Sequence, residues 1–416
     1  MENLQHAAIY IQGDTDKSLL ITHLIKGDLL RNELSLSGIE GEIFSNIALK
    51  HFIDEELRHD HFEINTGLNN SLANSSSGEQ KRALLKYILA KDPGFIILDN
   101  VFESLDISTR EAILTQLKDI SSRSIIIQIL ERKRDLLPFI ENVYIYEHGT
   151  ITKKESGTEF RQQPTSRPST LFSLSVPPPL QNFPPVQNPL ISMRDVSVQF
   201  GDRQILKDIS WQINTGEFWQ LKGPNGSGKS TILAMITGDS PKAYGQDIQL
   251  FGNKKGSGES VWSIKEKIGY FTPNMIRDFE RQDSIEKMII SGFFDSVGLY
   301  IKPSDRQLFL ADEWLKLIAM YDIRRQPFRL TPAAQQRIVM VVRAMVKHPP
   351  LLILDEPASG LDDESALLFT ALVNKIAAET NTAVIYVSHM DEPGLLPQYI
   401  FELFPQPEGS TGRVVK

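Results

Sequence analysis

The plainest chemistry in this chain lies in one run, Gly223-Pro224-Asn225-Gly226-Ser227-Gly228-Lys229-Ser230-Thr231. Its glycines let backbone N–H groups curl around phosphate oxygens, the Lys229 ammonium reaches terminal phosphates, and the Ser230 hydroxyl binds Mg²⁺. The same spacing also arises as an ordinary glycine-rich surface turn, so the flanks decide. Residues 217–222 read as a short strand before it and residues 231–236 as a helix after it, whose positive end would face the phosphates.

Two acids supply the next requirement of phosphate chemistry. Residues 351–356, Leu-Leu-Ile-Leu-Asp-Glu, read as a buried strand ending in Asp355 and Glu356, and residues 383–389 read as another strand ending in His389. Taken singly, Asp355-Glu356 is also compatible with a strand-end turn, although the following Pro357 and residues 359–362 argue against it. His389 taken singly is an ordinary surface or core histidine.

The elements that must position these groups follow from composition and pattern. A chain of 416 residues is long enough for two or three domains with buried cores. The net charge of −8 supplies no global basic face, so nucleic acid is not the expected partner. With no cysteine, disulfides, thiolate metal sites and thiol nucleophiles are excluded. No signal-peptide pattern opens the chain, and no apolar run is long enough to span a bilayer. A cytoplasmic protein is expected, and any membrane role calls for a partner on the cytoplasmic face of the inner membrane.

The first half has a similar order of elements. Residues 6–13 read as a strand and residues 19–25 as a helix, but the turn between them is two residues short and has lost its internal glycines. Asp14 and Asp16 would repel a polyphosphate there, so a residual structural turn is the expectation. Ser76, Ser77, Gly78, Glu79 and Gln80 then open an amphipathic helix, Phe95 to Asp99 reads as a buried strand, and residues 124–129 as another. From residue 156 to 189 the chain holds eight prolines, a composition that builds a semi-rigid spacer rather than a core. Fully extended, such a spacer spans about 100 Å.

The second half repeats the first. Ser76 to Asp99 and Pro332 to Asp355 both span 23 residues, and Asp99 to Asp106 and Asp355 to Asp362 both span seven. Lys17 to Asp99 spans 82 residues, against 126 from Lys229 to Asp355, so the first copy lacks an insert. The expected architecture is α/β, with two parallel-sheet domains carrying helical subdomains. The expected boundaries are 1–155 for a truncated and degenerate first copy, 156–189 for the linker and 190–416 for the second copy.

On these residues the chain resembles a tandem ATP-binding-cassette ATPase. The second half matches by its Walker A loop, its Walker B strand, its D-loop (residues 359–362, ending in Asp362) and its switch histidine His389. The first half matches by the signature Ser76-Ser77-Gly78-Glu79-Gln80. Within that superfamily it resembles the two-cassette ModF, or photorepair PhrA, proteins described as molybdenum-transport ATP-binding proteins. Residues 291–300 and Ser304-Asp305-Arg306-Gln307 carry this finer likeness.

The resemblance implies P-loop NTPase domains, ATP and Mg²⁺ as ligands, and ATP hydrolysis. It implies that Ser230 and Asp355 hold Mg²⁺, that Glu356 polarises the attacking water, and that His389 orients it. Phe200 stands open between a platform for adenine and a core aromatic. It further implies head-to-tail pairing of cassettes, within one chain or in a homodimer, and a membrane permease subunit as partner. The usual Q-loop glutamine is missing, with Phe271-Thr272-Pro273-Asn274 in its region, which puts coupling to a usual permease in doubt.

The two halves have complementary losses. The first lacks a proper phosphate loop, has Asn100 in place of Glu356, and has no histidine just after the strand ending near Leu130. The second keeps all three but has Pro332 and Ala334 where the signature serine and glycine belong. One live composite site is expected, from the second half's Walker motifs and the first half's signature. Two alternatives remain. One is a ribosome-associated cassette translation factor, which the proline-rich spacer and acidic balance disfavour. The other is a non-hydrolysing ATP-binding scaffold, which Glu356 and His389 disfavour.

Overall fold

The computed structural model describes all residues except 1–3, 14, 27–28, 31–33, 35, 37, 60–61, 65–70, 76, 104, 164–171, 182, 185–186 and 280–281. The chain divides into two compact units: residues 1–166 with 360–364, and residues 167–359 with 365–416.

In the first unit the order is β1 (Ala7–Ile11), α1 (Lys17–Ile25), β2 (Gly41–Phe44), α2 (Asn46–His59), α3 (Ser77–Ala90), β3 (Phe95–Asp99), α4 (Ile107–Ile120), β4 (Ile125–Leu130), β5 (Asn142–Glu147), β6 (Thr150–Ser156) and α5 (Gly157–Gln162). The strands form one sheet ordered β2-β3-β4-β1-β5-β6, parallel except for the β5–β6 hairpin. β1, β3 and β4 are buried throughout, because helices cover both faces of a parallel sheet. Their residues alternate between two cores: Ala8, Ile96 and Ile126 pack in one, Ile9, Ile97 and Ile127 in the other.

The second unit begins with β7 (Ile191–Phe200) and β8 (Arg203–Ile213), then β9 (Phe218–Lys222), α6 (Lys229–Ile236), β10 (Asp247–Leu250), β11 (Asn253–Lys254), α7 (Val261–Lys265) and β12 (Ile268–Phe271). A helical insert follows, α8 (Ile285–Ser291), α9 (Asp305–Leu317) and α10 (Ala333–Met345), then β13 (Leu351–Asp355), α11 (Asp363–Glu379), β14 (Ala383–Ser388), β15 (Tyr399–Phe404) and β16 (Thr411–Val414). Ser304 and Gln307 cap α9 reciprocally, which fixes where that helix starts. The main sheet, β12-β13-β14-β9-β15-β16, has the same order as that of the first unit. A separate antiparallel sheet, β11-β10-β7-β8, has no counterpart among the described residues of the first unit.

The likeness of the units extends to single hydrogen bonds. Gln80 Nε2 donates to Leu72 O and Gln336 Nε2 to Phe328 O. Lys81 Nζ donates to Asn100 O and Glu103 O, while Arg337 donates to Pro357 O and Ser359 O. In both units a long cation on the signature-type helix thus ties that helix to the turn after the acidic strand.

The spacer differs from the sequence expectation at both ends. Ser156 ends β6 and caps α5 by accepting from Glu159 N, and Phe160 is only 1% exposed. Seven residues assigned to the spacer, 156–162, are therefore folded, because one aromatic in a polar run is enough to seat a helical turn. At the far end Val176 N donates to Glu379 Oε2 at 2.8 Å, and Thr215 N and Oγ1 donate to Asn188 Oδ1. Residues 176 and 188 are thereby tied to the second unit, the first through its backbone N–H and the second through its side-chain amide oxygen.

Candidate active site

The phosphate loop joins β9, the strand between β14 and β15, to α6. Gly226 and Gly228 have φ of 76° and 96°, the left-handed region that favours glycine. A Cβ on Gly228 would also lie 2.5 Å from Leu206 Cδ2. Ser227 Oγ is fully buried and has no hydrogen-bond partner among the described residues. Such an orphaned hydroxyl in a glycine cradle suits an oxygen-rich ligand. The buried Lys229 ammonium donates to Gly223 O at 2.7 Å and Pro224 O at 3.0 Å, so it lies over the loop itself.

The acids stand at the end of β13, beside the loop. Asp355 and Glu356 line a cleft of about 600 Å³ together with Asn225, Gly226, Gly228, Lys229, Ser230 and Thr231. Burial, and then the neighbouring Glu356, push the Asp355 carboxyl above its ordinary value. A carboxylate so placed gains most from a cation, which fits Mg²⁺ held by Asp355 and Ser230. Mg²⁺ supplies neutralisation of phosphate charge when bound.

Glu356 is held differently. Its backbone is left-handed, φ 47°, and its N–H donates to Val387 O of the neighbouring strand. His389 Nδ1 sits 3.5 Å from Glu356 Oε1, and this imidazole holds the Glu356 carboxyl below its ordinary value. Glu356 is therefore ionised at neutral pH, a carboxylate able to accept a hydrogen bond from water and so polarise it.

Phe200 is half exposed and lines the cleft, with Lys242 Nζ 5.5 Å from its ring centroid. The core-aromatic reading left open by the sequence is thereby removed. Thr272 and Asn274, from the segment where the Q-loop glutamine is missing, also line the cleft. Three groups escaped sequence reasoning. Arg203 and Ile205 reach the cleft from β8, and no local pattern marks them. Tyr270 donates to Asp355 Oδ2 at 3.2 Å, which follows only from the parallel pairing of β12 with β13.

Ser76 lies outside the described residues, while Ser77, Gly78, Glu79 and Gln80 form the first turn of α3. Asp362 clusters with the first unit, where it is buried and accepts from Gly13 N at 2.8 Å. Pro332 is the N-cap of α10 and makes no side-chain cap.

Fold and site together define a phosphate-loop ATPase of mixed α/β architecture. The ABC transporter family model matches residues 206–359. The chain is 36% identical over 328 residues to the ABC transporter ATP-binding protein ModF of Escherichia coli, covering 76% of this chain and 67% of that protein. It is 31% identical over 333 residues to an uncharacterized ABC transporter ATP-binding protein of Schizosaccharomyces pombe, covering 78% and 67%. Among solved structures, archaeal ribosome recycling factor aABCE1 in complex with ribosomal stalk protein aP1 superimposes with a TM-score of 0.64 at 14% identity. That match covers 98% of this chain and 85% of the other; at such identity it establishes the fold alone. The chain belongs to the ABC transporter ATP-binding protein family, of ModF type, and is an ATP-hydrolysing enzyme. No helix among the described residues is long and apolar enough to cross a membrane.

Proposed function

We propose that this protein hydrolyses one Mg·ATP at a composite site, built from the second cassette's Walker motifs and the first cassette's signature. The observation that carries this reading is the complementary damage: Asn100 replaces the glutamate in one half, and Pro332 and Ala334 replace the signature in the other. Proline lacks both the hydroxyl and the N–H, and alanine adds a carbon where backbone must approach phosphate.

Gly78 adds support. It sits in the first turn of α3, where a Cβ would meet Thr109 no closer than 3.4 Å, an ordinary contact. A glycine in a helix costs about 1 kcal/mol relative to alanine. Local packing does not require it, whereas close approach to a phosphate does.

In the working site, Lys229 and the loop amides bind and orient the phosphates, and Phe200 offers its face to the adenine. Glu356 polarises the attacking water, and His389, 3.5 Å from Glu356, orients that water and the γ-phosphate. Ser76, Ser77, Gly78, Glu79 and Gln80 come from the other cassette and close over the γ-phosphate, and Asp362 belongs to the loop between the Walker B strand and α11. On this reading the first cassette is residues 1–155, extended by the folded residues 156–162, and the second is residues 190–416, and the cassettes pair head to tail, within one chain or between two.

Hydrolysis drives a partner, on this reading a membrane permease on the cytoplasmic side. Molybdate is the cargo that the sequence resemblance implies for such a partner. Titration with ATP should find one tight site per chain, lost in Lys229→Ala. Gly78→Asp should abolish turnover while leaving that binding intact. Two equivalent sites, or full turnover in Gly78→Asp, would overturn the composite site; affinity capture that retains ribosomes and no permease would overturn the coupling.

A further inference from the structure

The degenerate site of the first unit holds a closed set of charges. Lys17 Nζ lies 3.3 Å from Asp99 Oδ1 and 3.0 Å from Glu131 Oε1, and Asn100 Nδ2 donates to Glu131 Oε2 at 2.6 Å. These positions are equivalent to those of the working site. Lys17 opens α1 as Lys229 opens α6, and Asp99 ends β3 as Asp355 ends β13. Asp99 pairs with Ile129 and Asp355 with Val387, so the residue two places on is Glu131 in one unit and His389 in the other. Asn100 keeps the backbone of Glu356, with φ of 45° and an N–H that donates to Ile129 O. The histidine is therefore not merely missing: an acid stands in its place.

The energetic logic of the two sites differs accordingly. Asp355 lacks a salt bridge among the described residues, whereas Asp99 already has one in Lys17. Burial alone would lower the Lys17 ammonium, but Asp99 and Glu131 outweigh it and raise it. This lysine stays charged and committed, and the surrounding acids leave the cluster net negative, hostile to a polyphosphate.

The cluster also connects to the signature helix. The turn that begins at Asn100 accepts from Lys81 Nζ at Asn100 O, 3.4 Å, and at Glu103 O, 2.8 Å. Lys81 is buried on α3, one turn from Gly78. A continuous path of polar contacts therefore runs from Lys17 through the end of β3 to the helix that carries the signature.

We propose that Lys17, Asp99 and Glu131 are a resident substitute for Mg·nucleotide in the first cassette, and that they position the signature helix for the other cassette's ATP. The ammonium takes the cation's place at the strand-end aspartate, and Glu131 takes that of the anion. Lys17 and Glu131 are positioning residues, and their effect depends on the composite-site reading.

The test uses the full chain and compares Lys17→Met, Glu131→Gln and Lys17→Arg with wild type for ATP turnover, KM, nucleotide stoichiometry and thermal melting. Lys17→Met and Glu131→Gln should lower kcat about tenfold or more, since small misplacements of a catalytic surface cost that much. KM and the single bound nucleotide should stay unchanged, and Lys17→Arg should retain most of the turnover. Glu131→Gln, nearly isosteric, carries the test if Lys17→Met fails to fold. Folded Glu131→Gln with unaltered kcat, or a second bound nucleotide in wild type, overturns the proposal. Gly78→Asp separates the two readings: if it abolishes turnover while Glu131→Gln does not, only the substitute fails; if it leaves turnover intact, the composite site fails.

Discussion

Mild acid should destabilise this protein through one histidine in the second unit, His348. It follows α10 in the left-handed conformation, φ 51°, packs 6.0 Å from the Trp314 ring, and its Nε2 is buried without a partner among the described residues. Burial drives its pKa down from 6.5 to about 4, only partly opposed by a backbone hydrogen bond with Pro177. The folded state thus favours the neutral imidazole. For a lowered histidine, stability is fully present above the unfolded pKa, near 6.5, and falls as pH drops toward 4. Between pH 7 and pH 4.5 linkage gives a loss of about 2.5 kcal/mol from this group. The assay is urea unfolding of wild type and His348→Asn at both pH values; asparagine tolerates the left-handed backbone and does not titrate. The variant should lose less stability than wild type on acidification, by about 2 kcal/mol. Equal losses in both proteins would refute the reasoning.

Two further perturbations test the site and the fold. Tyr270→Phe removes the hydrogen bond that holds the already raised Asp355 carboxyl down, so the acid limb of the ATPase pH profile should move to higher pH; a shift the other way would contradict this assignment. Phe160→Ala should destabilise the first unit by about 3–5 kcal/mol, as expected for emptying a buried aromatic site; an unchanged melting profile would mean that α5 is not part of that core.

Much of the working site could be read directly from the chain because its parts are contiguous. A phosphate loop needs its glycines, lysine and serine in series between one strand and one helix, and Gly223 to Thr231 supplies them in nine adjacent residues. The Walker B strand is likewise local, a continuous apolar run ending in Asp355 and Glu356. The repeat was readable because equal 23-residue intervals persist where the residues themselves have diverged. Phe200 could not be assigned in this way, since exposure of one aromatic depends on what the antiparallel sheet leaves uncovered.

Sequence alone thus determined the fold class, the ATP chemistry and the complementary losses of the two halves. Tertiary structure decided the rest: that α5 extends the first core past Ser156, that Tyr270 steadies Asp355, and that Glu131 occupies the histidine's place. The physical reason is the strand order. Placing β4 between β3 and β1 brings Asp99, Glu131 and Lys17 to one end of a sheet, where charges far apart along the chain come within ion-pair distance. No local pattern encodes that neighbourhood, because parallel strands are joined by crossovers whose order the sheet alone fixes.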